Sequence, residues 1–391
     1  MSFTVKTILS AGAVLGLGIT VLTSTARYAA AQEEINGHPL VYAVKPLVGG
    51  DMAAIEAQSQ ASTGLKMWTY SIKSTRTGSV GQAFKGKMVG NSPLSNKGTT
   101  TTTVYVVPLI FKIGGQTFNP TAADAACLAG KVPLTVLKKS PMVVGTHDFH
   151  INGIDVGVGQ YTDAFQRGNF WKNVSANGGT YHNNLAYKFL PAVTITPGST
   201  HSALFSVTGG CTATYGGVEI NWLDGLITGT IIPSLAPKGV SPTNIPIFMM
   251  YNTTMYIGNT SQCCVGGYHG AVGSPVQTYS PFQFDSVGIF GVGAEDVSIV
   301  SHEMAEWEDD PLGNNPTPAW GNVGQVTGCQ TNLEVGDPLS GTNFPNVTLS
   351  GFTYHLQELA FFSWFYGKPS IGAGGKFSDH GTFTAPQGAC M

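Results

Sequence analysis

The chain has 391 residues, of which 42% are apolar and only 10% charged. With 10% aromatic side chains it can bury a sizeable core, so the composition excludes a disordered chain. The net charge of −3 leaves no basic footprint for nucleic acid, and the 51 glycines point to many turns, short strands and Gly-rich loops.

Taken in chain order, the first feature is a leader. Lys6 supplies a positive start, Ile8 to Leu22 is apolar, and Ala29-Ala30-Ala31 offers a small-residue cleavage site. Residues 1–31 therefore read as a secretory signal peptide cut near Ala31. The apolar run is short for a membrane span, and no later stretch is long enough for one, so the mature protein is expected to be secreted, extracellular or periplasmic, with no membrane span. Export permits disulfides among Cys127, Cys211, Cys263, Cys264, Cys329 and Cys390. Six cysteines allow fifteen pairings. Cys263 and Cys264 are expected to take different partners, since a bond between neighbours is strained. No CxxC pair is present, which argues against a thiolate zinc site.

Residues 32–100 form an N-terminal segment, either a propeptide or a peripheral region, with a helix expected over Asp51–Gln60. Residues 101–391 read as one α+β domain with a mixed β-sheet. Val104-Tyr-Val-Val-Pro-Leu-Ile-Phe111 is a buried strand pattern, and Pro108 argues for an edge or a bulge. Thr121–Leu128 is expected as a short helix. Val193–Thr196 and Ser202–Val207 flank Pro197-Gly198 and read as a hairpin. Asn244–Tyr251 is a second apolar strand. Cys263 to His269 reads as a disulfide-tied loop. A helix is expected from Ala294 to about Glu308, with Glu295 and Asp296 in its first turn and Pro311 and Gly313 ending it. Residues 311–345 read mostly as loop, and Tyr354–Tyr366 as helix or strand.

The chemistry concentrates in Ser301-His-Glu-Met-Ala-Glu-Trp-Glu-Asp-Asp310, which places one histidine and five acids in ten residues. From Gly239 to Gly367 there is no Lys or Arg, yet the window holds eleven acids, nine of them between Glu295 and Asp337. Carboxylates crowded without cations repel one another and rise in pKa. Two remedies are open: solvation on a surface helix, or a bound metal. His302 and Glu306, at i and i+4, share a helix face at ligand spacing. Glu303 sits where the Glu of an HExxH helix polarises the metal-bound water. Zinc accepts a carboxylate in place of the second His, although oxygen ligands also suit calcium or another divalent ion. A third ligand is expected from Cys329-Gln-Thr-Asn-Leu-Glu-Val-Gly-Asp337, with Glu334 preferred and Asp337 an alternative or an outer support. His269 and His355 are further candidates. His147 and His150 are read as structural, and no nucleophile-elbow, Walker or Rossmann pattern is present.

Two motifs together, Val300-Ser-His-Glu-Met-Ala-Glu306 with Asp310-Pro311, and Leu333-Glu-Val-Gly-Asp337, resemble the HELAE-type helix and EIGD-type turn of secreted Exordium-like (phosphate-induced) proteins and of bacterial secreted proteins with an HExxE zincin-like core. The stretch Tyr354-His-Leu-Gln-Glu-Leu-Ala-Phe-Phe-Ser-Trp364 looks like a tail of bacterial relatives. The resemblance covers residues 295 to 340 and implies a zincin-like helix carrying His302 and Glu306, completed by an acid of the Glu-Val-Gly-Asp turn. The expected function is a secreted zinc metallopeptidase acting on a peptide or extracellular polymer. Glu303 would be the catalytic base, and His302, Glu306 and Glu334 the metal ligands. The alternative is a non-catalytic envelope protein with a structural zinc or calcium.

Overall fold

The computed structural model describes residues 4–5, 32–34, 39–95, 98–291, 293–342 and 345–390. The expected leader lies outside these apart from Thr4–Val5, which pairs with Val44 and Ala43. In chain order the elements that matter here are β1 (Val41–Lys45), α1 (Met52–Gln60), β2 (Met67–Lys73), β3 (Ala83–Val89) and β4 (Thr99–Ile113). They are followed by α2 (Pro133–Lys138), α3 (Tyr161–Asn169), β5 (His182–Phe189), β6 (Val193–Ile195), β7 (Ser202–Ser206) and β8 (Thr214–Glu219). The C-terminal part holds β9 (Ile245–Tyr251), β10 (Thr253–Ile257), β11 (Asn259–Val272), β12 (Gln277–Phe284), α4 (Ser298–Asp309), β13 (Pro316–Val323), β14 (Val326–Asn332) and α5 (Phe362–Tyr366).

One thirteen-stranded mixed sheet organises these elements, with the central order β5-β4-β9-β12-β11-β10-β8-β7. The strands β4 and β9 are near-continuous apolar runs because both faces of the sheet are covered. Their side chains alternate between two cores. Val104, Val106, Ile245, Ile247 and Met249 join α4 on one face. Tyr105, Val107, Leu109, Phe248 and Met250 pack on the other face with the helical segment starting at Ile220. Helix α4 crosses β11 and β12 and also meets β3 and α3. Among the described residues no helix is long and apolar enough to cross a membrane.

Several expectations change. Pro108 lies in an interior strand, not at an edge: β4 pairs with β9 on one side and with β5 then β6 on the other. Pro108 falls where the neighbour changes, between Val106 opposite Phe189 and Leu109 opposite Val193. Residues 121–128 form turns rather than a helix, because Asp124 accepts from the amides of Ala126 and Cys127 and competes with helical bonding. The expected hairpin at Pro197-Gly198 does not form: β6 pairs with β4, and β7 with β8. Cys263 to His269 is sheet, the middle of β11. Residues 311–345 contain the β13–β14 hairpin. Cys263 and Cys264 bond to each other across a cis peptide, their Cα atoms 3.0 Å apart, correcting the expectation of separate partners. The other pairs are Cys127–Cys211 and Cys329–Cys390.

The N-terminal segment is built into the fold. Strand β1 inserts parallel to β11 with all five residues buried. Beyond β2, the buried Arg76 guanidinium donates to five backbone carbonyls, those of Pro318, Ala319, Phe365, Gln387 and Gly388. This one side chain ties β13, α5 and the C-terminal tail together. Arg76→Met should strand those acceptors and cost about 3–4 kcal/mol, read as a shift in the urea midpoint. An unchanged midpoint would show that water replaces the guanidinium.

Candidate metal centre

Helix α4 is buried along all twelve residues, so the solvated acidic helix is not what forms. Its start is Ser298 rather than Ala294, and Glu295 and Asp296 lie before it, not in its first turn. Close approach to the sheet depends on glycine. A Cβ at Gly267 would sit 2.8 Å from Cγ and Oε1 of Glu303. His269, two residues along the same strand, faces the helix from that same side.

His302 is held on three sides. The Tyr42 ring stacks on it with centroids 3.5 Å apart and planes at 10°. Behind it is Gly336, where a Cβ would lie 2.3 Å from Nδ1. Gln357 Oε1 lies 3.0 Å from His302 Nδ1, while Gln357 Nε2 donates to the Gly336 carbonyl at 2.7 Å. That second bond fixes the amide orientation, so His302 Nδ1 carries the proton and donates. Its Nε2 then faces Glu306 Oε1 at 3.2 Å and Asp337 Oδ1 at 3.6 Å. Glu306 Oε1 also accepts from the amides of Gly336 and Asp337 at 3.1 and 3.3 Å. Gln325 Nε2 donates to Asp337 Oδ1 and to the Tyr42 carbonyl, and Gln325 Oε1 accepts from the Tyr42 amide.

His269 repeats the arrangement. Its Nε2 donates to the Asp310 carbonyl at 3.1 Å, which leaves Nδ1 facing Glu303 Oε2 at 3.5 Å and Glu306 Oε2 at 3.8 Å. Two clusters result, His302–Glu306–Asp337 and His269–Glu303–Glu306, each with its ligand atoms within 4.8 Å of one another. Two ligands about 2.1 Å from a tetrahedral ion lie about 3.4 Å apart, so the His302 distances of 3.2 and 3.6 Å suit a shared cation. These five residues are at most 1% exposed.

The remaining candidates fall outside both clusters. Glu334, the preferred third ligand, is buried with Oε1 accepting from Asn332 Nδ2 at 2.7 Å, and Asp337 stands in the position expected of it. His355 pairs with Asp296 at 2.7 Å, and that bond raises its pKa. An exposed trio, Asp148, His150 and Asp155, sits on a surface hairpin. Sequence reasoning missed Tyr42, Gln325, Gly336 and Gln357 as partners of the centre. Gln357 and Gly336 lie inside quoted motifs, whereas Tyr42 carries no sequence signal at all.

The surrounding acids are protonated further up the pH scale than usual. Burial pushes Asp309 up to about 7 and Asp310 up to about 8. Away from the centre, burial above all pushes Asp285 and Asp379 up to about 7. An acid with a raised native pKa holds a proton that the unfolded chain releases, so its contribution fades as pH rises through the window between the two values. For Asp285 and Asp379 that window runs from about 4 to about 7. Chelated protein should therefore lose stability from pH 5 to pH 7, by on the order of 1 kcal/mol per pH unit per group. A melting temperature that rises over this range without metal would contradict these assignments.

No family model matches the chain, and no curated protein or solved structure is significantly similar to it.

Proposed function

We propose that the protein is a secreted, zincin-like metal-dependent hydrolase acting on peptide bonds or a related extracellular polymer. His302, Glu306 and Asp337 hold its divalent ion, zinc in the first instance. The observation that carries this reading is the tautomer of His302. The Gln357–Gly336 clamp commits Nδ1–H to donation and leaves Nε2, which makes no hydrogen bond, facing two carboxylates, an arrangement that a shared cation would hold together. The three disulfides fit an oxidising compartment. When bound, the ion would activate water and polarise a carbonyl. Glu303, adjacent to His302 on the helix, would take the proton from that water and return it to the leaving group. Asp337 and Glu306 would orient by their bonds to Gln325 and to the turn amides. Tyr42 covers His302 and the cluster is buried, so turnover in this reading requires the site to open. Glu303→Gln should reduce peptide hydrolysis by at least about 100-fold while the ion at His302 is retained. Activity that survives the change would remove Glu303 from the mechanism.

Complete burial favours one other reading, in which the ion only stabilises the fold. There, chelation lowers the melting temperature and no peptide, however presented, is turned over.

A further inference from the structure

Glu306 has two oxygens, and they face different histidines. Oε1 faces His302 and Oε2 faces His269. We infer that the centre takes two divalent cations bridged by Glu306, the second held by His269 Nδ1, Glu303 Oε2 and Glu306, so that the proton Glu303 takes in the reading above would go to its other oxygen, Oε1. This rests on the reading that His302, Glu306 and Asp337 hold the first.

The bland explanation of the second cluster is a protonated His269 bonding to both acids. Its geometry argues otherwise. An N–H···O bond to a carboxylate is about 2.7–2.9 Å long, whereas His269 Nδ1 lies 3.5 Å from Glu303 Oε2 and 3.8 Å from Glu306 Oε2. Those separations suit two ligands of one ion, about 3.4 Å apart. The other ring nitrogen donates to the Asp310 carbonyl, which orients this ring as the Gln357 side chain orients His302.

Two independent observations support the inference. Gly267 is small where any Cβ would displace Glu303, so the strand is shaped to bring that carboxylate beside His269. Tyr42, 1% exposed, has a hydroxyl with no hydrogen-bond partner among the described residues. A buried phenol with no acceptor, on a ring stacked against His302, is a further oxygen beside the centre. Paired ions about 3.5–4 Å apart are a recurring hydrolytic arrangement.

The test is metal stoichiometry on the full mature chain, dialysed against Zn2+ or Mn2+ and measured by elemental analysis. Two equivalents are expected, falling to one in His269→Gln and, separately, to one in Asp337→Asn. The Mn2+-loaded wild type should also show the electron paramagnetic resonance spectrum of a spin-coupled pair, a readout that needs no variant. One equivalent in the wild type, unchanged in His269→Gln and with an uncoupled spectrum, would overturn the second position and leave the first. No retained metal would overturn both.

Discussion

Chelating divalent ions at neutral pH should lower the melting temperature by roughly 10 °C. An ion present at about 1,000 times its dissociation constant contributes about 4 kcal/mol, and a chain of this size shifts by a few degrees per kcal/mol. The physical reason is the cluster itself. Without cations, Glu303, Glu306 and Asp337 face two histidines in a site at most 1% exposed, where water cannot stabilise the charges. The sequence offers no Lys or Arg between Gly239 and Gly367 to substitute. Differential scanning calorimetry with and without chelator measures the shift, and re-addition of zinc should restore it. Identical melting curves would mean that the carboxylates are satisfied by protons or by other protein groups.

Gly336→Ala should weaken metal binding by about 10- to 100-fold, the range seen when a supporting contact of a metal ligand is lost, while costing only about 1–3 kcal/mol of stability as an overpacking change. The added methyl would lie 2.3 Å from Nδ1 and 2.5 Å from Cε1 of His302. The ring cannot retreat, because Tyr42 stacks on its opposite face at 3.5 Å. The backbone at Gly336 is at φ −85°, which alanine adopts freely, so the effect is steric rather than conformational. The same turn supplies the amides that hold Glu306 and the carbonyl that orients Gln357. Titration of the variant with zinc separates the two effects. Wild-type affinity in a folded Gly336→Ala protein would show that the ring is not clamped as described.

What the sequence made legible was local. The i, i+4 pair of His302 and Glu306 follows from helical spacing, and the apolar runs of β4 and β9 announce strands buried on both faces. The choice between Glu334 and Asp337 was not legible, because it depends on which carboxylate the turn presents. Glu306 bonds to the amides of Gly336 and Asp337 and so fixes that turn with Asp337 facing the helix. Tyr42 reaches His302 only because β1 inserts beside β11, a pairing across more than 200 residues that no local pattern encodes. His269 sits not in a loop, as the Cys-Cys and Gly-Gly pairs suggest, but on a strand whose alternation aims Gly267 and His269 at α4. The acidity of α4 was ambiguous for the same reason: a solvated surface helix and a buried one share a composition, and burial against the sheet excludes the first.

The central claim is that the His302 Nε2 lone pair, with Glu306 and Asp337, binds a divalent ion. X-ray absorption at the zinc edge, on protein loaded and then dialysed free of excess metal, tests it most directly. The account predicts a first shell of imidazole nitrogen and carboxylate oxygen at about 2.0–2.2 Å, with the outer-shell scattering typical of a histidine ring. A shell of oxygen alone, or no zinc surviving dialysis, would contradict it.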